Sequence, residues 1–200
     1  HTLLAPAEFE IKARALGINN DSNIVVCDNI GIYSAPRVWF NFHLMGCRQV
    51  AVLNGGIPAW KNAGLATTDS LEKTDSQEQT NSLAAASTQG DFVAQPQLHR
   101  VATKEDVLAA IGKPGVRIID VRGAARFYGQ VPEPRAGVRS GHIPGSVNIP
   151  YSQFIADGRF KTREELQQLF SDVGCTENDE LIFSCGSGVT ACIGYLAAQL

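Results

Sequence analysis

The chain lacks a cysteine framework. Its five cysteines, Cys27, Cys47, Cys175, Cys185 and Cys192, are odd in number, irregularly spaced and form no C-x-x-C pair. That excludes a disulfide scaffold and a zinc site of the usual spacing, and scattered thiols suit a reducing compartment. No apolar run approaches the roughly 20 residues that cross a bilayer, and no signal peptide pattern is visible. Charge of one sign is also missing. A formal net charge of -3 gives neither nucleic acid nor an anionic membrane an electrostatic reason to bind. What remains is ordinary: 44% hydrophobic and 18% charged residues over 200 positions. Those values fit a soluble globular protein of one large or two small domains. A cytoplasmic location is expected, with a mitochondrial one as the alternative in a eukaryote.

One stretch stands out: Ser184-Cys185-Gly186-Ser187-Gly188-Val189-Thr190-Ala191. Before it lies Leu181-Ile182-Phe183, a short apolar run that predicts a buried strand. After it, Ala191 to Leu200 is apolar and rich in small residues and predicts a helix. A cysteine between strand and helix, followed by two glycines, is placed to act as a thiolate. Loop amides can turn inward at the sulfur, and the helix start adds partial positive charge. Gly186 and Gly188 permit the backbone angles that such a cradle needs.

The same alternation runs along the chain. Strands are expected at Asn23–Cys27, Val50–Leu53, Val116–Val121 and Ser146–Ile149. Helices are expected at Ser34–Met45 with Gly46 as C-cap, at Pro58–Asn62, from N-cap Thr103 to Ile111 with Asp106 in the capping-box position, and at Thr162–Phe170. Arg122 to Arg139 reads as a long loop. Short apolar strands alternating with helices predict a parallel sheet covered on both faces, with the site beyond the carboxyl ends of its strands. Residues 66–97, rich in Thr, Ser, Gln, Asn and Asp, read as an interdomain linker.

The chain also repeats itself. Ile24-Val25-Val26-Cys27-Asp28 aligns with Leu181-Ile182-Phe183-Ser184-Cys185, and both lead through a polar loop into a helix. The alignment sets Asp28 opposite Cys185, so one nucleophile per chain is expected. The first copy carries a downstream segment that the second lacks, and the second an upstream segment that the first lacks. The expected organisation is therefore 1–65 as the back half of a non-catalytic domain, 66–97 as linker, and 98–200 as the front of a catalytic domain, the chain being cut at both ends.

Four stretches resemble the tandem-domain rhodanese sulfurtransferases, and within them the branch that uses mercaptopyruvate. They are Ser34-Ala35-Pro36-Arg37, Leu53-Asn54-Gly55-Gly56-Ile57-Pro58-Ala59-Trp60, Gly141-His142-Ile143-Pro144-Gly145 and Cys185-Gly186-Ser187-Gly188-Val189-Thr190. The resemblance implies a rhodanese-like parallel sheet in two repeated domains and a persulfide carried on Cys185. It implies a thiolate and persulfide cradle of Gly186, Gly188, Val189 and Thr190. Ser187 matches the family's loop serine, which assists catalysis. Arg126 and Arg135 match the pair that grips a 2-oxo acid, and guanidinium–carboxylate pairing suits that substrate. The family's partners for the serine fall upstream of His1, so no residue takes their roles. Thiosulfate-using members carry basic residues just after the cysteine; here Gly186 and Ser187 stand there. The implied partners are a small sulfur donor and an acceptor thiol, such as a thioredoxin-like protein, or cyanide, with no cofactor and no metal.

Blander roles are expected elsewhere. Cys27, Cys47, Cys175 and Cys192 read as small core residues. Asp28 reads as a turn or cap group. His142 reads as structural and His43 as packing. Arg122 and Arg139 read as structural, with Asp120 a partner for Arg122, and Trp39 and Trp60 as core or interface. A cysteine phosphatase needs an arginine six residues after its cysteine; Ala191 occupies that position and excludes it. A thiosulfate sulfurtransferase and a non-enzymatic sulfur-relay or binding module remain as alternatives.

Overall fold

A computed structural model describes residues 3–68 and 89–200. Most of the expected linker, residues 69–88, lies outside the described residues. The chain opens with α1 (Pro6–Ala15), then β1 (Ile24–Val26), α2 (Ala35–Leu44), β2 (Val50–Val52) and α3 (Gly56–Asn62). After a 3-10 turn at Leu98–Arg100 come α4 (Lys104–Ala110), β3 (Val116–Asp120), a single turn α5 (Ala124–Phe127) and β4 (Val147–Asn148). A second 3-10 turn (Tyr151–Phe154) leads to β5 (Ile155–Ala156), β6 (Arg159–Phe160), α6 (Arg163–Asp172), β7 (Glu180–Ser184) and α7 (Ala191–Ala197). Among the described residues no helix is long and apolar enough to cross a membrane.

The fold is α/β. β1 pairs with β2 in parallel, Ile24 facing Val50, and β3 sits between β4 and β7 in a second parallel sheet, Ile119 facing Phe183. Helices cover both faces of the second sheet, because its strands are apolar on both sides. α4 lies along the face that carries Ile118 and Ile182. Ile119, Val121 and Phe183 on the other face pack with Ile193 of α7 and Leu166 of α6. Gly194 lets α7 approach that closely: a Cβ there would stand 2.7 Å from the Phe183 ring.

The two repeated strand–loop–helix units meet through their helices. Trp39, Phe40 and Leu44 of α2 pack with Cys192 and Leu196 of α7 in one apolar cluster. Ile32, from the loop between β1 and α2, is buried in the core built on the second sheet. Its N–H donates to the carbonyl of Gly158 in the β5–β6 hairpin at 3.0 Å. The loops that carry Asp28 and Cys185 are thereby held in one body.

Some expectations change. The 122–139 loop contains the helical turn α5, because the Ala-Ala pair at 124–125 favours helix once Gly123 has turned the chain. Trp60 is not core: it is 39% exposed, and its indole N–H donates to the Ala66 carbonyl at 2.9 Å. Cys27 is exposed rather than buried, since it stands just past the last paired residue of β1. Trp39 does lie between the units: its ring meets that of Tyr195 of α7 at 5.9 Å, while its indole N–H donates to the Val50 carbonyl of its own unit at 3.1 Å. At the far end of the expected linker, Phe92 is 2% exposed and packs against Phe9 and Phe42.

Candidate active site around Cys185

β7 ends at Ser184 and α7 begins at Ala191, so six residues turn between strand and helix. Val121 fixes the strand side, its N–H donating to the Ser184 carbonyl at 2.9 Å. Cys185 is half-buried at the start of this turn. The amide that reaches its sulfur is that of Gly188, at 3.0 Å. Gly188 has φ +78°, in the left-handed region, and that is what turns its N–H inward. Gly186 is exposed, and Ser187, Val189 and Thr190 are half-buried around it. The Ser187 hydroxyl forms no hydrogen bond among the described residues.

Below the loop, the Cys192 thiol donates to the Gly188 carbonyl at 3.2 Å. Burial pushes Cys192 up to about 11, so it remains a neutral thiol at physiological pH. Its role is to support the loop. The same carbonyl accepts from Nη1 of Arg37 at 3.2 Å. Arg37 belongs to α2, so the first unit reaches across to hold the turn that carries the sulfur. It stands in Ser34-Ala35-Pro36-Arg37, yet sequence spacing could not show that this arginine points across the interface.

Above the loop lie the arginines. Arg126, at the end of α5, places Nη2 over Gly186, where an added Cβ would stand 2.7 Å away. Nε and Nη2 of Arg126 donate to Glu133 at 3.0 and 2.5 Å. Arg122 donates to the other partners of this network: Asp120 at 2.5 Å, Glu133 at 2.9 Å and the Gly141 carbonyl at 2.7 Å. Hydrogen bonds from Arg126 and then the nearby guanidinium charges hold the Glu133 carboxyl below the usual carboxylate range. Those bonds to Glu133 and Asp120 likewise raise Arg126 and Arg122. Arg135 is exposed on the loop after Glu133 and forms no ion pair among the described residues. Glu133 escaped the sequence reading; the only signal was an acidic residue between Pro132 and Pro134 in an arginine-rich loop.

The sister loop is closed differently. Asp28 is 8% exposed and accepts the N–H groups of Tyr33 and Ala35, each at 2.8 Å, together with the Ser34 hydroxyl. Its carboxylate satisfies inward amides much as the sulfur of Cys185 does, but both its oxygens are taken by donors of its own loop and helix start. His142 is equally occupied: it stacks on Phe127 at 3.8 Å, with Nδ1 2.9 Å from the Phe127 carbonyl. Both are structural groups.

A half-buried sulfur under an inward amide, beside a hydroxyl and a guanidinium, can attack a small anionic substrate and hold its charge. Comparison with known proteins gives the family. The model of the rhodanese-like domain matches residues 3–63 and 103–200. The 3-mercaptopyruvate sulfurtransferase of Escherichia coli (strain K12) is 36% identical over 98% of this chain and 66% of its own length. The thiosulfate sulfurtransferase of Mus musculus is 38% identical over 99% of this chain and 64% of its own. The crystal structure of SseA from Escherichia coli, described as a 3-mercaptopyruvate sulfotransferase, superimposes with a TM-score of 0.79 at 34% identity, over 98% of this chain and 68% of that one. The chain thus spans about two thirds of the length of these relatives.

Proposed function

Because this chain belongs to the rhodanese-like family, and is related to both mercaptopyruvate and thiosulfate sulfurtransferases, we propose that it moves sulfur from 3-mercaptopyruvate to a thiol or cyanide through a persulfide on Cys185. The observation that carries this reading is the Gly188 amide aimed at the Cys185 sulfur, 3.0 Å away, beneath Arg126. Overall identity does not choose the donor, since relatives of either kind match about equally. The residues after the cysteine do favour one. Gly186 and Ser187 bring no cation, so a doubly charged thiosulfate gains little there.

The Cys185 thiolate attacks the thiol sulfur of mercaptopyruvate. A sulfur–sulfur bond forms and the carbon–sulfur bond breaks. Its electron pair goes to the carbon as the enolate of pyruvate, which takes up a proton to leave as pyruvate. Arg126, with Arg135 brought up from its loop, pairs with the substrate carboxylate and carbonyl and fixes its orientation. The Ser187 hydroxyl hydrogen-bonds to the oxo acid or relays the proton. The Gly188 amide holds the anionic sulfur. Attack by the acceptor on the outer sulfur then returns the Cys185 thiolate, with thiocyanate as the product when cyanide accepts. No step calls for a metal or a cofactor.

The test is a comparison of kcat/KM for mercaptopyruvate and thiosulfate with cyanide as acceptor. The neutral loop predicts a preference for mercaptopyruvate of at least about tenfold, the value of one lost charge-assisted contact. A preference for thiosulfate would refute the donor assignment, and no turnover with either would refute sulfur transfer itself.

A further inference from the structure

The ion-pair network above the loop has a centre, and that centre is Glu133. Its side chain is 4% exposed, while that of Arg126 is 29% exposed. A carboxylate this buried stays only if its charge is matched, and here two guanidinium groups match it. Arg122 is itself anchored to Asp120 at the end of β3. The network therefore ties Arg126 to the end of β3, whose Asp120 pairs with Ser184 at the end of β7, just before Cys185.

The geometry assigns one edge of Arg126 to the protein and leaves another outward. Glu133 takes the side edge, Nε and Nη2. The nitrogens nearest to Gly186 are Nη2 and Nη1, with Nε not among them. A guanidinium offers its donors in a fixed plane, so clamping one edge aims the next. We infer that Glu133 is a positioning residue for oxo-acid recognition: it turns the terminal Nη1/Nη2 edge of Arg126 over the Cys185 loop, where the substrate carboxylate can meet it. This rests on the sulfurtransferase reading above.

Two features support the assignment. Pro132 and Pro134 flank Glu133; Pro134 biases it toward extended backbone and Pro132 has a fixed φ, so the carboxylate is carried on a stiff segment. The four charges of Asp120, Arg122, Glu133 and Arg126 also sum to zero. The network itself has no surplus charge, so what it contributes to binding depends on the direction of the outward guanidinium edge of Arg126. A free Arg126, swinging on its long side chain, would lose that direction.

Glu133→Gln keeps the shape and one acceptor oxygen but breaks the paired bonds. The KM for mercaptopyruvate should rise about tenfold while kcat stays within about twofold, the pattern of lost ground-state orientation. Alkylation of Cys185 by iodoacetamide, which carries no carboxylate, should keep its wild-type rate. In an Arg126→Ala background the Glu133→Gln change should have no further effect on KM, because the role acts through that arginine. An unchanged KM would overturn the inference, and so would a parallel fall in alkylation rate, which a merely structural role predicts. If the wild-type protein turns over neither donor, the sulfurtransferase reading itself fails, and this inference falls with it; a wild-type turnover with an unmoved Glu133→Gln KM rejects Glu133 alone.

Discussion

Replacing Cys185 by serine should reduce thiocyanate formation by about four orders of magnitude or more, the scale seen when a catalytic nucleophile is removed. The variant should fold normally. Cys185 is half-buried, and serine is slightly smaller and can still accept from the Gly188 amide. The loss would therefore be chemical. A serine hydroxyl in this turn has no general base beside it among the described residues, and an oxygen–sulfur bond does not replace the persulfide. The three buried cysteines offer no substitute. Cys192 is buried and held neutral with its thiol on the Gly188 carbonyl, and burial also raises Cys47 and Cys175. The measurement is cyanolysis at saturating mercaptopyruvate, beside a thermal melt of the same preparation. Retained turnover in a folded Cys185→Ser protein would transfer the chemistry elsewhere.

Asp28→Ala should cost about 3 kcal/mol of stability, since it strands donors that the carboxylate now satisfies and each unsatisfied one costs on the order of 1–3 kcal/mol. The Ala35 amide is the most exposed to this loss, because it lies in a buried residue at the start of α2. For a chain of this size the melting temperature should drop by roughly 6–12 °C. Asp28→Asn should lose less, as its amide oxygen can still accept. The effect reaches past the loop. Arg37 extends from the first turn of α2 to the Gly188 carbonyl, so loosening that turn loosens the support of the cysteine. A melting temperature unchanged in Asp28→Ala would show that water satisfies these donors as well as the carboxylate does.

Local signals carried much of this in the sequence. The Cys185 turn was visible because an apolar strand, two glycines and a small-residue helix are adjacent in the chain. Thr103 and Asp106 were three residues apart, and the capping box they form is closed on both sides. The repeat needed only self-comparison. What escaped was of two kinds. Short elements gave too few residues for a period: β5 and β6 have two each, around a turn in which Asp157 and Gly158 both take positive φ. Asp-Gly is a hairpin signal, but it lacked alternating flanks. α1 passed unread for a related reason, its ten residues mixing charges and alanines without a strong apolar stripe. The other kind was contact at a distance. Phe92 is the one aromatic among residues 89–97, but nothing local shows that it packs against both Phe9 and Phe42. The reach of Arg37 to a loop 151 positions away follows only from the packing of α2 on α7.

The central claim is that sulfur rides on Cys185. Its most direct test is the intact mass of the full-length protein after brief incubation with mercaptopyruvate and removal of excess donor. The account predicts a gain of one sulfur atom, located by peptide mapping to the segment containing Cys185 and discharged by cyanide. A mass that does not change, or a sulfur found on the exposed Cys27 instead, would contradict it.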